Sequence, residues 1–438
     1  MRDLAAWLDF ISAQHTLEIA MGLARSREVA QRLGVQRVAP KQLIIAGTNG
    51  KGSTALFAQA LLIAQGHRVG TTLSPHLERF NERVLLQGEE VDDAALCAAF
   101  AAVEEARREI PLTYYEYSVL AALWLFRRAQ LDVCVLEIGL GGRLDTINLL
   151  DADVAVITNI GLDHQSYLGE TLEAIGAEKV AICRPGSPVI LGHPQMPASV
   201  YEALAALDLV SGGVVSPRRV APGRLSPGQV VQYGRHFWRA GEAGGGWSVQ
   251  FADEVALESS QVPAIAQHNA AVASAAVSAL TTHPTNAEFD RAVGAATNPG
   301  RAELSSYAGV PVLLDVAHNP AGATFLANQL SERYPGRRFV ACAGFLADKD
   351  AAGVCAALRS QVRQWVITST RGSRAMPAAA AARACGVQDA IVEPGFAEAV
   401  HRAHDACVGT DMMLVVGSFY QVQAMREFLL KADNIPSL

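Results

Sequence analysis

Aromatic residues are scarce in this 438-residue chain: 5 Trp, 9 Tyr and 14 Phe make up 6% of it. The core must therefore be built mostly from Ala, Val, Leu and Ile. With half of all residues hydrophobic, there is apolar surface enough to build one, which excludes wholesale disorder. An excess of basic residues is also missing. Lys and Arg number 36 against 43 Asp and Glu, a formal charge of -7, so no global field draws the chain to nucleic acid or to an anionic membrane. Any anionic ligand must be caught by local dipoles and a few placed cations. The seven cysteines (Cys97, Cys134, Cys183, Cys342, Cys355, Cys385 and Cys407) are odd in number, scattered, and form no C-x-x-C. That pattern fits reduced, buried thiols and excludes a disulfide framework or a zinc site. No long apolar run occurs. The longest stretch without Asp, Glu, Lys or Arg, residues 259–287, contains Pro263, His268 and Asn269, and the first residues lack the apolar core of a signal peptide. The expectation is a soluble, cytoplasmic protein of two to four domains.

What the chain does have is alternation. Residues 4–33 carry helical spacing of apolar residues. A short apolar run at 42–46 ends at Gly47, and residues 53–65 place Leu56, Phe57, Ala60, Leu61 and Ala64 on one helical face. Strand, glycine-rich turn and helix open a doubly wound domain. The series continues with a strand at Val69–Leu73, helices at 92–108 and 116–129, and β-branched runs at Val133–Ile138, Val154–Ile157 and Val189–Leu191. Residues 211–260, rich in Gly and Pro with short alternating pieces, read as a small β-meander, and 264–281 as a helix of small residues. Asn298-Pro299-Gly300 breaks the pattern, and a fresh series follows: Val312–Val316, Arg338–Ala343, Trp365–Thr368, Ala390–Val392 and Met413–Val416. The expected fold is α/β. A P-loop-type doubly wound ATPase domain over 1–298 is followed by a smaller Rossmann-like α/β domain over 299–438.

Four motifs carry chemistry. Gly47-Thr48-Asn49-Gly50-Lys51-Gly52-Ser53 lies between a strand and a helix, the context in which backbone N–H groups form an anion nest and a lysine reaches terminal phosphates. It departs from the strict Walker pattern: Ile45 stands six positions before Lys51, and Gly52 follows it where a metal-binding hydroxyl is usual. Glu137 ends an apolar strand and is followed by the turn Gly139-Leu140-Gly141-Gly142-Arg143-Leu144-Asp145. A carboxylate at a strand's carboxyl edge, beside a phosphate, suits Mg²⁺. Thr158-Asn159-Ile160-Gly161-Leu162-Asp163-His164 follows another strand, and Glu178-Lys179 comes about a helix later. His164 there is either a metal ligand or a hydrogen bonder at the edge of the core. Arg301, Asp315 and His318 cluster after the break in the second half.

In order and spacing these motifs resemble the Mur ligase superfamily, and closely its folate branch, the folylpolyglutamate synthases/dihydrofolate synthases. The resemblance spans residues 15–420 and also rests on Ser74-Pro75-His76-Leu77, Thr113-Tyr114-Tyr115-Glu116-Tyr117, His268-Asn269, Leu346-Ala347-Asp348-Lys349-Asp350 and Gly417-Ser418-Phe419. It implies an ATP-dependent amide ligase: ATP phosphorylates a carboxylate, and the amine of L-glutamate attacks the acyl phosphate. By the same resemblance Thr48, Asn49, Gly50 and Lys51 hold the triphosphate, and Asn269, Arg301 and Asp315 contact ATP. Ser74, Glu137 and His164 ligate two Mg²⁺ ions, Lys179 is a candidate for carbamylation, and His318 joins the catalytic group. The pterin side matches Ala20, Met21, Gly22 and Leu23, Thr113, Tyr114, Tyr115 and Glu116, and Leu144, Asp145 and Thr146. The implied substrates are dihydropteroate or a reduced folate, L-glutamate and ATP, with no nucleic acid or membrane partner and a monomer as the default. Only 46 residues precede Gly47, too few for the UDP-sugar domain of the peptidoglycan Mur ligases. Alternatives are a synthase acting only on existing folates, a P-loop kinase or NTPase using the loop alone, and a nucleotide-binding scaffold.

Overall fold

The structure, a computed structural model, describes residues 2–14, 20–208, 229–241, 246–252, 256–372 and 374–431. Parts of the expected meander (211–228, 242–245 and 253–255), and Leu17 of the N-terminal helical spacing, lie outside the described residues. The chain divides into two compact units, Met1–Thr297 and Asn298–Leu438.

The first unit is built on an eight-stranded sheet of β1 (Lys41–Ala46), β2 (Val69–Thr72), β3 (Val84–Leu86), β4 (Glu89–Glu90), β5 (Val133–Glu137), β6 (Val154–Ile157), β7 (Val189–Leu191) and β8 (Val230–Gln232). Their order is β4-β3-β2-β5-β1-β6-β7-β8. All neighbours from β2 to β8 pair parallel, and β3 and β4 add an antiparallel edge. Alternate residues of one strand feed two different cores. Ile44 and Ala46, with Cys134 and Leu136, face one, while Leu43 and Ile45, with Val133 and Val135, face the other. A sheet buried on both faces needs strands that are apolar throughout, and these runs are. The register pairs Ile45 with Glu137, Ala46 with Ile157 and Thr72 with Leu136. The carboxyl ends of β1, β2, β5 and β6 therefore share one edge, with β1 at the point where the chain turns to opposite sides of the sheet.

The edge hairpin was not expected. Its two connecting residues, Gln87 (φ 55°) and Gly88 (φ 85°), both take positive φ, the backbone of a two-residue hairpin turn, but Gln-Gly is not the sequence that usually announces it. The helical spacing of 4–33 resolves into two helices, Leu4–Ser12 and Ala24–Leu33. The helix expected from 53 starts at Lys51, because Gly50 at φ 84° turns the chain directly into it. Three strands, β9 (Phe237–Gly241), β10 (Trp247–Phe251) and β11 (Ala256–Ser259), form a separate antiparallel sheet.

The second unit has a six-stranded sheet of β12 (Glu303–Tyr307), β13 (Val310–Leu314), β14 (Phe339–Ala343), β15 (Val362–Ile367), β16 (Ile391–Val392) and β17 (Met412–Val416). The order is β12-β13-β17-β14-β15-β16, parallel except for β12. It is the Rossmann-like α/β arrangement expected of the second half. Among the described residues no helix is long and apolar enough to cross a membrane.

Candidate active site

The loop after β1 is clamped by the segment after β6. Thr48 N–H donates to Asn159 O at 3.0 Å, and the Thr48 hydroxyl both accepts from Gly161 N–H (2.9 Å) and donates to Gly161 O (3.1 Å). Asn49 N–H donates to Asn159 Oδ1 at 2.9 Å, and Thr158 Oγ1 and Asn159 Nδ2 donate to Asn49 O. The clamp is close: a β-carbon on Gly47, which has φ 147°, would lie 1.8 Å from Thr158 Oγ1, and one on Gly50 would lie 2.7 Å from Asn269 Oδ1. Asn269, buried at the start of the Gln267–Leu280 helix, is thus brought to the loop. Thr158 and Asn159 are the residues that fix the loop's shape, a role the sequence did not assign them.

Two lysines converge on one carbonyl. Lys51 Nζ donates to Gly47 O (3.0 Å) and Thr48 O (3.2 Å), and Lys179 Nζ donates to Gly47 O at 3.0 Å. Lys179 comes from the end of the Leu172–Val180 helix and is buried. Burial, and then the neighbouring Lys51 charge, lower its ammonium pKa to about 7.

Glu137 is buried and accepts a hydrogen bond from Ser74 N–H at 2.8 Å. Its carboxylate oxygens lie 3.6 Å from where a β-carbon on Gly52 would stand. The carboxylate thus lies against the first turn of the Lys51–Ala64 helix. Ser74 Oγ is itself buried and makes no hydrogen bond. A buried hydroxyl without a partner costs free energy, and a hard cation would supply one. The oxygen pair Ser74 and Glu137 therefore fits Mg²⁺, which takes one or two protein oxygens and completes its shell with phosphate and water. His164 caps the short Gln165–Leu168 helix in left-handed backbone (φ 52°). Among the described residues no three His, Cys, Asp or Glu side chains gather as a preformed cluster.

The pterin-side segments come together in the same unit. Arg25 Nη2 donates to Ala20 O (2.9 Å) and to Glu116 Oε1 (3.0 Å), while Ser26 Oγ donates to Glu116 Oε1 and lies 3.4 Å from Thr146 Oγ1. Thr113 and Glu116 form a reciprocal capping box at the head of the Tyr114–Arg128 helix. Tyr115 Oη donates to Asp145 Oδ1 at 2.9 Å and accepts from Gly139 N–H. Asp145, buried, also accepts from the N–H groups of Gly139, Leu140 and Ile147. Burial raises its carboxyl pKa, and those hydrogen bonds offset only part of that rise. Glu116 and Asp145 are thus committed to hydrogen bonds that tie these segments together, while Met21, Gly22, Leu23 and Leu144 are only partly buried. Arg143, counted with the turn at sequence level, faces outward in an ion pair with Glu178 (2.8 Å). Arg83 belongs to none of the motifs read from the sequence. In the structure its Nε donates to His76 Nδ1 at 2.7 Å.

In the second unit Asp315, at the end of β13, is buried and accepts from Ala302 N–H and Ala317 N–H, both at 2.8 Å. Burial raises its pKa and the Arg301 charge opposes this. Arg301 and His318 both approach the Phe419 ring, at 5.5 Å and 6.0 Å from its centroid. The Arg301, Asp315 and His318 motifs, 18 residues from first to last in the sequence, form one group.

Both halves carry the signature of one class: residues 45–189 match the Mur ligase middle domain and residues 300–419 the Mur ligase glutamate ligase domain. The dihydrofolate synthase/folylpolyglutamate synthase of Escherichia coli K12 is 38% identical over 430 residues, covering 97% of this chain and 95% of the relative. That of Haemophilus influenzae is 34% identical over 96% of both chains. Among solved structures, E. coli FolC in complex with DHPP and ADP superposes with a TM-score of 0.87 at 36% identity, over 99% of both chains. The Yersinia pestis bifunctional enzyme with AMPPNP and Mn matches at a TM-score of 0.87 and 37% identity, over 98% of both. The chain belongs to the dihydrofolate synthase/folylpolyglutamate synthase family of the Mur ligases and is an ATP-dependent ligase.

Proposed function

We propose that this chain joins L-glutamate to dihydropteroate, forming dihydrofolate, and to reduced folates, forming polyglutamates, at the expense of ATP. The observation that carries the reading is the meeting, at one sheet edge, of the clamped 47–53 loop, the Ser74–Glu137 oxygen pair and the two lysines on Gly47 O. Phosphoryl transfer to a carboxylate must overcome repulsion between two anions. Loop N–H groups and Lys51 hold the triphosphate and offset that charge. Ser74, Glu137 and His164 would hold Mg²⁺, two ions in all, which supply Lewis-acid stabilisation of the transferred phosphoryl. The acid oxygen attacks the γ-phosphorus, ADP leaves, and an acyl phosphate remains. The neutral amine of glutamate then adds to its carbonyl carbon, loses a proton, and phosphate departs.

Lys179 suits carbamylation because only a neutral amine attacks CO₂, and a pKa of about 7 keeps a substantial neutral fraction at physiological pH. The frame made by Arg25, Glu116, Tyr115 and Asp145 supports a pterin pocket lined by Ala20–Leu23, Thr113–Glu116 and Leu144–Thr146. Asn269, Arg301 and Asp315 are assigned to ATP contacts, with His318 in the catalytic group. The relatives with ADP and DHPP, and with Mn, AMPPNP and L-glutamate, support these ligand classes. We further assign the chain as a soluble, cytoplasmic monomer acting on small molecules, with no nucleic-acid or membrane partner. The test is an assay with ATP, L-glutamate and either dihydropteroate or tetrahydrofolate. Amide product from both is expected. Product from tetrahydrofolate alone would make the enzyme monofunctional, and ATP consumption unaffected by omitting glutamate would overturn the ligase reading.

A further inference from the structure

Arg83 ends the short turn Phe80–Arg83 that leads into β3. Its carbonyl accepts from Leu73 N–H at 3.1 Å, so its backbone lies beside the end of β2, one residue from Ser74. The side chain is held on three sides. Its guanidinium carbon lies 5.5 Å from the centroids of both the Phe80 and Tyr114 rings, and Nε donates to His76 Nδ1. Since a guanidinium only donates, that His76 nitrogen must carry its lone pair. The contact leaves the two terminal nitrogens of the fork for another acceptor.

Among the described residues no carboxylate takes up that role. Glu82, on the same turn, spends its oxygens on the N–H groups of Leu77, Glu78 and Arg79. Glu137, near enough to act on Arg83 electrostatically, accepts from Ser74 N–H. Partial burial works against the charge of Arg83, and a desolvated guanidinium without an anionic partner is an expensive arrangement. Its planar fork matches a carboxylate better than any other common anion except phosphate.

Its location selects between the two. Arg83 has the Tyr114 ring over its guanidinium and its backbone beside Leu73, the residue before Ser74, and it lies close enough to Glu137 and Tyr115 to feel their charges. On the functional reading above, on which this inference rests, Ser74 and Glu137 face the phosphoryl donor and Tyr114 and Tyr115 face the pterin end of the acid substrate. The group of that substrate lying between them is the carboxylate to be phosphorylated. We propose that Arg83 binds the reacting carboxylate of the acid substrate through its terminal guanidinium nitrogens and presents it to the phosphoryl donor. The role is one of substrate recognition and positioning: Arg83 offsets the carboxylate's charge as it nears the triphosphate and gives up no proton.

The test compares dihydropteroate with its carboxamide, which keeps the pterin and ring but not the charge. Both are titrated into the full chain with ADP and Mg²⁺ present. Arg83→Gln is expected to weaken binding of the acid about tenfold or more and to leave the carboxamide and ADP affinities unchanged. Arg83→Lys should recover part of the acid's affinity, since a point charge survives and the fork does not. Equal affinity changes for acid and carboxamide, or none for either, would overturn the proposal while leaving the ligase reading intact. If the glutamine variant also loses ADP binding, the lysine variant decides: an undiminished preference for the acid over the carboxamide would equally overturn it. Failure of the unaltered chain to bind dihydropteroate would remove the functional reading, and the role of Arg83 with it.

Discussion

Lys179 is placed where an ammonium ion is poorly tolerated: buried, donating to the carbonyl that Lys51 also uses. Its folded pKa of about 7 lies below the ordinary 10.5. Between those values the unfolded chain binds more protons than the folded one, so this residue makes stability rise with pH across that window. Below pH 7 the penalty of burying the charge is felt in full. Lys179→Met should therefore raise the urea midpoint most at pH 6, with the gain shrinking towards pH 10. A gain independent of pH would contradict the assignment. In catalysis Lys179→Ala should lose most activity and regain part of it with added short carboxylates, which replace the anion of a carbamate. Failure of rescue in a normally folded variant would count against the carbamate. On the proposed function Lys51 is the cation that faces the terminal phosphates, so Lys51→Ala should lower amide formation by at least about 100-fold; unchanged turnover would refute the phosphate-loop assignment.

At the scale of elements, the 47–53 loop is hydrogen-bonded between β1 and the segment after β6. A β-carbon at residue 47 would collide with Thr158 Oγ1 in a backbone conformation that disfavours any side chain. Gly47→Ala is expected to abolish ADP binding, read by titration, while most of the sheet survives, read by far-UV circular dichroism. Retained ADP affinity would mean the loop can relax. The capping box at Thr113 offers a milder change. Thr113→Ala should cost about 1 kcal/mol of unfolding free energy, measurable as a shift in urea midpoint. The sequence allowed β1, its loop and the following helix to be read because buried parallel strands are apolar throughout and glycine marks the turn. Glu137 was legible as a charge ending such a strand. Asn159 and Arg83 were not, because their importance comes from partners 110 residues away in the first case and from ring faces in the second. The hairpin of β3 and β4 stayed hidden because Gln87-Gly88 is an unusual pair for its turn.

At the scale of the whole molecule, the chain divides between Thr297 and Asn298 into two α/β units. The first gathers the loop, the oxygen pair, the lysines and the Arg25, Glu116, Tyr115 and Asp145 hydrogen bonds. The second carries Arg301, Asp315 and His318 as a group of its own. The account rests on a carboxylate being activated by phosphorylation before glutamate attacks, and oxygen labelling tests that directly. Dihydropteroate labelled with ¹⁸O in both carboxyl oxygens is converted with ATP and L-glutamate, and the released phosphate is analysed by mass spectrometry. Activation through an acyl phosphate predicts one ¹⁸O in each phosphate formed and one retained in the amide. Unlabelled phosphate accompanying amide product would contradict it.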